Sequence, residues 1–399
     1  MMITDKITAP LSQLSQSKGW KGLACAGLLT VGAVLAGCSA NSSQPMSQNA
    51  LPNGMQGNGH EYLLTVTRPN QLHVIDTETN KLLRSCDIPG SFGNGSIAIS
   101  PDGRTAFVLS NKMEDVYGID ITNCETTFSA LQSYDNVQVK TFISMAISPD
   151  GKELYTIQNP VRKLRDRFET MAPRLAAFNI ADGLNAKPIR TFPVDRRITK
   201  IATQQNGEVI LGGGDIKAIN PKTGETRLIT ALQNWERAPD KWVPPDAFAM
   251  HTMGEHIGEF VMPYFTIRWN GEPGDESKAD FLWGHVRIDL KTGAVENFET
   301  VPFEFIVFNW VTDPKDKDVM YGSFNQLSKH NLKTGETLNV LGMDHTYYNL
   351  NMTTDGKKLY VGGAGNNISI HDPDTLAKLG SIPLVGDMST ADLRLAVLK

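Results

Sequence analysis

Residues 145–158 read MAISPDGKELYTIQ, two apolar segments joined by a polar turn that ends in glycine. The same pattern returns at three other places, as IAISPDGRTAFVLS from Ile97, IATQQNGEVILGG from Ile201 and NMTTDGKKLYVGG from Asn351. Val, Ile, Leu and Tyr dominate the apolar segments, and Asp-Gly or Asn-Gly accepts the positive φ of a tight hairpin. Each copy therefore predicts two antiparallel strands.

A second repeated element alternates with the first. It has an apolar strand, a Thr-Gly or similar turn and another strand, and it occurs as VIDTETNKLLRSC from Val74, GIDITNCETTF from Gly118, AINPKTGETRLI from Ala218, RIDLKTGAVENF from Arg287, KHNLKTGETLNV from Lys329 and SIHDPDTLAKLGSI from Ser369. One copy of each element gives four strands. About 340 residues follow the first 60, and seven units of roughly 49 residues fit the period of propeller blades.

The sequence thus predicts an all-β fold, a seven-bladed β-propeller of four-stranded antiparallel blades that spans residues 61–399. Blade one has three strands near the N-terminus, and Ala391 to Leu398 supplies its innermost strand, so that the terminal strands pair and close the ring. Blades two to seven are predicted to begin near Gly95, Phe142, Ile198, Asp246, Glu304 and Thr346.

Residues 1–37 have the pattern of a signal peptide. Lys18 and Lys21 precede an uncharged apolar run that is too short to span a bilayer. The run ends in Leu-Ala-Gly-Cys, a lipobox in which Cys38 carries the lipid, and residues 38–60 form a polar, flexible tether. We expect a periplasmic protein anchored to the outer membrane through Cys38, since Ser39 follows it. The alternative is an ordinary signal peptide with an incidental cysteine.

Cysteine usage and charge narrow the chemistry. Cys86 and Cys124 are the two cysteines of the folded part, and an oxidising compartment favours a disulfide between them over two buried thiols. No CxxCH occurs, so this chain attaches no c-type haem covalently. The formal charge of -5, without a basic run, makes nucleic acid an unexpected partner. The lipid anchor is the only membrane contact that we expect.

A search for catalytic motifs assigns no catalytic residue and no metal ligand. The segment HTMGEH at residues 251–256 lacks the HExxH spacing of metalloproteases and is expected to be a polar strand or loop. Two insertions interrupt the repeats, Asn159–Arg174 in blade three and Arg268–Trp283 in blade five. Such insertions are expected to be loops on one face of a propeller, and they serve either binding or mere variation in length.

Several segments of the chain resemble the beta subunit of quinohemoprotein amine dehydrogenase, over nearly everything after residue 60. Some are KLLRSCDIP, DVYGIDITNCETTF, PRLAAFNIADGLNAKPIRTFPVDR and DPDTLAKLGSIPL. SPDG and KTGE occur in many propellers, but NPVR at 159–162, QNWE at 233–236 and DHTYY at 344–348 are distinctive. The lipobox and the tether depart from the soluble members of that family.

The resemblance implies a three-subunit periplasmic enzyme that oxidises primary amines to aldehyde and ammonia. A small subunit would carry cysteine tryptophylquinone, a dihaem cytochrome c subunit would carry the c-type haems, and this chain would carry no cofactor. The propeller would hold the small subunit against one face and form a wall of the substrate pocket. Candidates for these contacts, with the family-like segments as the guide, are Arg162, Trp235, Tyr264, His345, Tyr347 and Tyr348.

Two other functions are open from the sequence. A self-sufficient propeller hydrolase of the lactonase kind would need its own acids, bases or metal ligands at the central channel. A scaffold lipoprotein of outer-membrane assembly would need only the propeller and the lipobox. For each of the six candidate residues, packing within or between blades is the plain alternative to a contact with a ligand or partner.

Overall fold

The computed structural model describes residues 55–247 and 254–399. In that part of the chain the repeats form seven antiparallel sheets, each built on four strands. Six of them are formed by continuous segments of the chain, and one combines the first three strands with the last. The innermost strands of neighbouring sheets contact one another around a central channel. The predicted seven-bladed β-propeller is therefore confirmed. Residues 1–54, with the signal peptide, Cys38 and most of the tether, lie outside the described residues.

The first three blades are built from the first thirteen strands of the chain and from its last strand. Blade one consists of β1 (His60–Thr67), β2 (Gln71–Asp76), β3 (Lys81–Asp87) and β30 (Arg394–Leu398). Blade two consists of β4 (Phe92–Ile99), β5 (Thr105–Ser110), β6 (Asp115–Asp120) and β7 (Thr126–Leu131). Blade three consists of β9 (Met145–Ile147), β10 (Glu153–Lys163), β12 (Arg174–Asn179) and β13 (Pro188–Pro193), with β8 (Val137–Lys140) and β11 (Phe168–Thr170) paired to β10.

The other four blades have four strands each. Blade four consists of β14 (Lys200–Thr203), β15 (Val209–Gly212), β16 (Ile216–Ile219) and β17 (Thr226–Thr230). Blade five consists of β18 (Asp246–Ala247), β19 (Glu259–Trp269), β20 (Ala279–Asp289) and β21 (Val295–Pro302). Blade six consists of β22 (Asn309–Thr312), β23 (Val319–Ser323), β24 (Gln326–Asn331) and β25 (Thr337–Gly342). Blade seven consists of β26 (Asn349–Met352), β27 (Leu359–Gly362), β28 (Asn367–His371) and β29 (Lys378–Pro383). Short 3-10 turns occupy Asn111–Met113, Ile180–Asp182, Glu255–Ile257 and Glu276–Lys278.

The ring closes between the two ends of the chain, as predicted. Strand β30 pairs antiparallel with β1 from His60↔Leu398 to Leu64↔Arg394. Gly103, at the end of the first SPDG turn, has a φ of +76°, and a Cβ there would lie 2.1 Å from the carbonyl oxygen of Val397. That glycine therefore lets the turn of blade two lie directly against the closing strand.

The blade boundaries follow the prediction closely, with one larger displacement. Blade five begins at Asp246, as expected, and Gly95 lies inside the innermost strand of blade two. Blade six was expected near Glu304 but begins at Asn309. Residues 303–308 instead form the approach to that strand, and Val307 within them is buried against Gly322.

The two faces of the ring carry different connections. Strands alternate in direction, so each innermost strand begins at one face and ends at the other. We call the first the insertion face, because both insertions lie on it. It carries the approaches to the innermost strands and the links between second and third strands. We call the second the turn face, because the short SPDG-type turns lie there.

The two insertions are not the loops that we expected. In blade three, β10 continues past the blade core, and its outer part pairs with β8 on one side and β11 on the other. In blade five, β19 and β20 pair over their whole length, from Glu259↔Asp289 to Trp269↔Ala279. Backbone hydrogen bonding continues along each extended strand, so both insertions project as small sheets from the insertion face.

The hydrophobic core lies between neighbouring blades rather than at the axis. The side chains of Tyr62, Tyr264, Tyr321, Tyr347 and Tyr360 are among the largest that are completely buried. Burial of one such side chain stabilises the fold by roughly 1.5–3 kcal/mol. Among the described residues, none of the helical turns is long and apolar enough to cross a membrane.

The predicted disulfide is confirmed. Cys86 of β3 and Cys124, just before β7, are bonded, with their Cα atoms 5.1 Å apart. Both strands are the outermost of their blades, so the bond joins blade one to blade two at the rim. The Arg84 guanidinium donates to the carbonyl oxygen of Thr122 beside it, which adds a second link between the two blades.

Candidate functional site

Arg162 lies on the projecting part of β10, away from the blade core. It pairs across the strands with Glu169 of β11 and with Val137 of β8. Its guanidinium is 3.1 Å from the Glu169 carboxylate, and both side chains are exposed. An ion pair exposed to this degree contributes little to stability. Nearby, Phe168 exposes 73% of its surface at the tip of the same insertion.

Trp235 and Tyr264 meet at the base of the blade-five hairpin, with ring centroids 6.4 Å apart. Tyr264 is completely buried and stands opposite Gly284, where a Cβ would lie 2.0 Å from the tyrosine ring. The missing side chain at Gly284 gives the ring its space. The Tyr264 hydroxyl donates to the carboxylate of Glu299, and burial, followed by that carboxylate, raises the tyrosine pKa.

Arg237 holds this cluster together. Its guanidinium lies 4.1 Å from the centroid of Trp235 and 5.2 Å from that of Trp242, and it donates to Glu299 at 2.7 Å. The cation therefore contacts two indole faces and a carboxylate at once. Neither Arg237 nor Trp242 was singled out in the sequence, although both lie within seven residues of the distinctive QNWE segment.

His345 and Tyr347 form a stacked pair on the approach to β26, with ring centroids 3.9 Å apart. The His345 side chain is 38% exposed, whereas Tyr347 is completely buried. The Tyr347 hydroxyl donates to Asp344 at 3.0 Å, and burial, followed by Asp344, raises the pKa of Tyr347 to about 12. The buried tyrosine is thus a fixed support, and the histidine is the member of the pair that faces solvent.

Tyr348 points to a different group of aromatic rings. Its ring lies 4.8 Å from Phe308 and 5.9 Å from Phe324, and all three are partly exposed. The six predicted residues therefore fall into separate groups on the insertion face. Trp235 joins Tyr264, His345 joins Tyr347, and Tyr348 and Arg162 each have other neighbours.

The insertion face also exposes apolar side chains that the sequence analysis missed. Phe142, Ile306 and Val385 lie on the approaches to the innermost strands of blades three, six and one, and they are 42%, 53% and 67% exposed. Tyr134, at 44%, lies on the way to blade three. Exposed apolar residues are normal singly but mark interaction sites when they share one surface. Three connections between blades bring these four residues to the insertion face.

A second feature opens at the turn face. A cavity of about 710 Å³ is lined by residues of the innermost strands, including Ile97, Met145 and Ile201, and by SPDG turn residues such as Pro101 and Pro149. At its edge the Arg394 guanidinium contacts Glu255 at 2.5 Å and Asp392 at 3.0 Å. His256 reaches across to the carbonyl oxygen of Met352 at 2.9 Å. Side chains from blades one, five and seven thus meet at the channel.

Residues 55–247 and 254–399 contain no candidate metal site. No group of three or more His, Cys, Asp or Glu side chains in those residues could hold a metal ion. His251 of the HTMGEH segment lies outside them. Cys86 and Cys124 are joined to each other and offer no thiolate to a metal or haem.

Comparison with known proteins supports the fold but assigns the chain to no family. No protein-family model matches the sequence, and no curated protein matches it. The hydrazine synthase of Kuenenia stuttgartiensis is similar in structure, with a TM-score of 0.51, 14% identity and coverage of 76% of this chain and 90% of that one. A functionally unknown protein from Desulfotomaculum acetoxidans gives a TM-score of 0.53 at 12% identity, covering 85% of this chain and 99% of that one.

Proposed function

We propose that this chain is the propeller subunit of a periplasmic quinohemoprotein amine dehydrogenase, in which it binds a quinone-bearing small subunit on the insertion face. Primary amines would be the substrates, and aldehyde and ammonia the products. Cysteine tryptophylquinone on the small subunit and haems on a dihaem cytochrome c subunit would accept the electrons. The chain itself would contribute a binding surface and a pocket wall.

One observation carries the proposal. The three segments that distinguish the chain from other propellers, residues 159–162, 233–236 and 344–348, are far apart in sequence and lie on different blades. All three are at the insertion face, on the projecting part of β10, on the approach to β18 and on the approach to β26. Three segments with a purely structural role would be expected at either face.

The chemistry of this face suits a protein partner. Phe142, Ile306 and Val385 present apolar side chains to solvent there. Their burial would favour association by roughly 25 cal/mol for each Å² removed from water, before the cost of ordering. Trp235, with Arg237 against its ring, adds the residue types that dominate binding energy at protein interfaces.

Within such a complex, His345 is the candidate for the pocket wall. It is exposed, while Tyr347 beneath it fixes its plane and Asp344 fixes Tyr347. A wall of this kind orients the amine and excludes water without taking part in the proton transfer. The lipobox at Cys38 supports a place in the periplasm, at the outer membrane.

The docking surface is tested by adding a charge to it. We expect Ile306→Glu and Phe142→Glu to weaken assembly with the small subunit at least tenfold, about 1.4 kcal/mol, because a carboxylate without a partner would be buried at the contact. The measurement is titration of the purified propeller variants with the small subunit by calorimetry or co-elution.

A matched control is Leu184→Glu. Leu184 is 58% exposed, close to the 53% of Ile306, but it lies in the connection from β12 to β13 at the turn face. It should leave assembly unchanged. If the Leu184 variant loses the small subunit while the Ile306 and Phe142 variants retain it, the insertion face is not the docking surface.

The pocket role is tested separately in assembled complexes. His345→Ala should change the preference among amines and raise KM more than it lowers the rate of quinone reduction, because it shapes the pocket without doing the chemistry. Tyr347→Phe should have a smaller effect of the same kind through loss of the Asp344 hydrogen bond. Stopped-flow reduction by a series of amines measures both. Wild-type rate and preference in His345→Ala, Tyr347→Phe and Tyr348→Phe complexes would leave this segment with a purely structural role.

A further inference from the structure

The outermost strand of each blade has one edge without a neighbouring strand, and the seven edges are not protected in the same way. Natural sheets protect such edges with charged residues, with proline or with a covering segment. Five of the outermost strands carry a charged residue, a proline or both, namely β3, β13, β17, β21 and β29. Strands β7, with the sequence TTFSAL, and β25, with TLNVLG, carry neither.

The edge of β7 is covered by a segment of blade three. The backbone N–H of Ser129 donates to the carbonyl oxygen of Gly183 at 3.2 Å, and the Ser129 carbonyl oxygen accepts from the N–H of Ala186 at 2.8 Å. Three residues further on, the N–H of Gln132 donates back to Glu114 of its own blade. The outward backbone groups of β7 at Ser129 therefore have partners within the ring.

Val340 is the residue of β25 that corresponds to Ser129. Three residues after it, the N–H of Met343 donates to Asn325 of the same blade at 3.0 Å. Because backbone groups alternate in direction along an antiparallel strand, the N–H and C=O of Val340 point away from β24. Among the residues that the structure describes, none outside this blade forms a hydrogen bond with the backbone of β25.

The side chains along this edge are apolar and exposed. Leu338 and Val340 are 41% and 46% exposed, and a Cβ at Gly342 would have no atom within 4 Å. An added strand would thus meet outward backbone groups, two aliphatic side chains and an open space, and it would desolvate no charged residue of β25. These are the features that extended partners use when they add to the edge of a sheet.

We infer that β25 pairs antiparallel with β25 of a second copy of this chain, about a two-fold axis at Val340. In this register Val340 exchanges two backbone hydrogen bonds with the same residue of the copy. Leu338 of each copy lies opposite Gly342 of the other, where the open space accommodates it. The strand suits itself as a partner, because it contains no charge that would face its own like across the axis.

The dimer is expected to be weak, because six residues from each copy bury less area than a stable interface needs. The contact is at the rim of the propeller and involves this chain alone. It therefore does not depend on the amine dehydrogenase assignment.

The first test is disulfide trapping in the purified full chain. Cys86 and Cys124 are bonded to each other, so Val340→Cys places a new thiol on the two-fold axis. Antiparallel pairing holds opposing Cα atoms about 5.5 Å apart, within reach of a disulfide. We expect the covalent dimer to form at least tenfold faster than with Leu228→Cys, because paired strands hold the thiols together. Leu228 is a matched control, since it is 56% exposed on β17, another outermost strand.

The second test keeps Val340 and changes its surroundings. Gly342→Lys is compatible with the fold, because the space at Gly342 is open, but it puts a charge against Leu338 of the other copy. Sedimentation of the wild-type chain should show a monomer–dimer equilibrium, and the variant should weaken it at least tenfold.

Three results would overturn the inference. One is equal cross-linking of Val340→Cys and Leu228→Cys, and another is a wild-type chain that sediments as a monomer at every concentration. The third is cross-linking of Val340→Cys in cells to a different protein instead of to itself, which would give the edge of β25 another occupant. If a cysteine variant does not fold, the sedimentation of the wild-type chain and of Gly342→Lys decides the question.

Discussion

Removal of the disulfide should destabilise the propeller by about 4 kcal/mol. The bonded cysteines are 38 residues apart in sequence, and on the chain-entropy view a closed loop of about that length contributes roughly 4 kcal/mol by restricting the unfolded chain. The perturbation is the double variant Cys86→Ala, Cys124→Ala. Cys124 already has a φ of 65°, so alanine there adds no backbone strain that the cysteine lacks.

The assay is urea unfolding of the variant and of the oxidised wild-type protein, followed by fluorescence. The free energy of unfolding should fall by about 4 kcal/mol. In a thermal melt, the Tm of a folded part of about 340 residues should fall by about 6 °C. Wild-type protein reduced before unfolding is the control, because it breaks the bond without changing the sequence. A difference under about 1 kcal/mol in both comparisons would refute the loop-entropy reasoning, and two alkylatable thiols in the native protein would refute the bond.

Three further predictions concern other parts of the chain. Gly284→Ala should lower the free energy of unfolding by roughly 1–3 kcal/mol, because the alanine Cβ would lie 2.0 Å from the buried ring of Tyr264. Gly342→Ala, whose Cβ would have no atom within 4 Å, should leave it unchanged in the same assay. Burial lowers the pKa of His285 from 6.5 to about 3, so the unfolded chain binds the extra proton and stability should fall as the pH decreases from about 6.5 towards 3; His285→Phe should flatten that slope in urea midpoints. Cys38→Ala should release the protein from membranes or leave it unprocessed, and unchanged fractionation would contradict lipid attachment.

The sequence was sufficient for the architecture because propeller blades repeat locally. Each SPDG or KTGE turn fixes a hairpin from residues close together in the chain, so the blade count and strand order follow from the spacing of turns. Ring closure by Ala391–Leu398 was predictable for the same reason, since blade one lacked one strand. The disulfide followed from two cysteines at the rims of consecutive blades.

The projecting hairpins and the exposed apolar residues were not predictable in the same way. Asn159–Arg174 and Arg268–Trp283 are rich in charged residues, and nothing in them indicates that β10 and β19 continue beyond the blade core. Phe142 and Ile306 precede innermost strands, where an apolar residue in sequence looks like the first residue of the strand. Whether these side chains are exposed depends on the path of the connecting segment before the innermost strand begins.

The channel residues were missed for a different reason. Lys200, Glu255, Asp392 and Arg394 come from three blades, and each one alone has the appearance of an ordinary polar residue at the end of a strand. A propeller places the ends of its innermost strands together whatever their distance in sequence. Pairing among such residues is therefore a property of the closed ring, and local periodicity carries no signal for it.

Strand β30 closes the ring and also carries Arg394, which belongs to the group of charged residues at the channel. Arg394 opens β30 and pairs with Leu64 of β1 in the closing sheet, while its guanidinium contacts Glu255 of blade five. Asp392, just before β30, is completely buried and accepts a hydrogen bond from the backbone N–H of Ile97 in blade two. The terminal segment thus joins blades one, two and five at the axis through charged groups. Because breaking one side of a buried pair leaves the other charge without compensation, the closing strand is held by the channel as well as by its backbone pairing, and a ligand that occupies the turn-face cavity would act on the same strand.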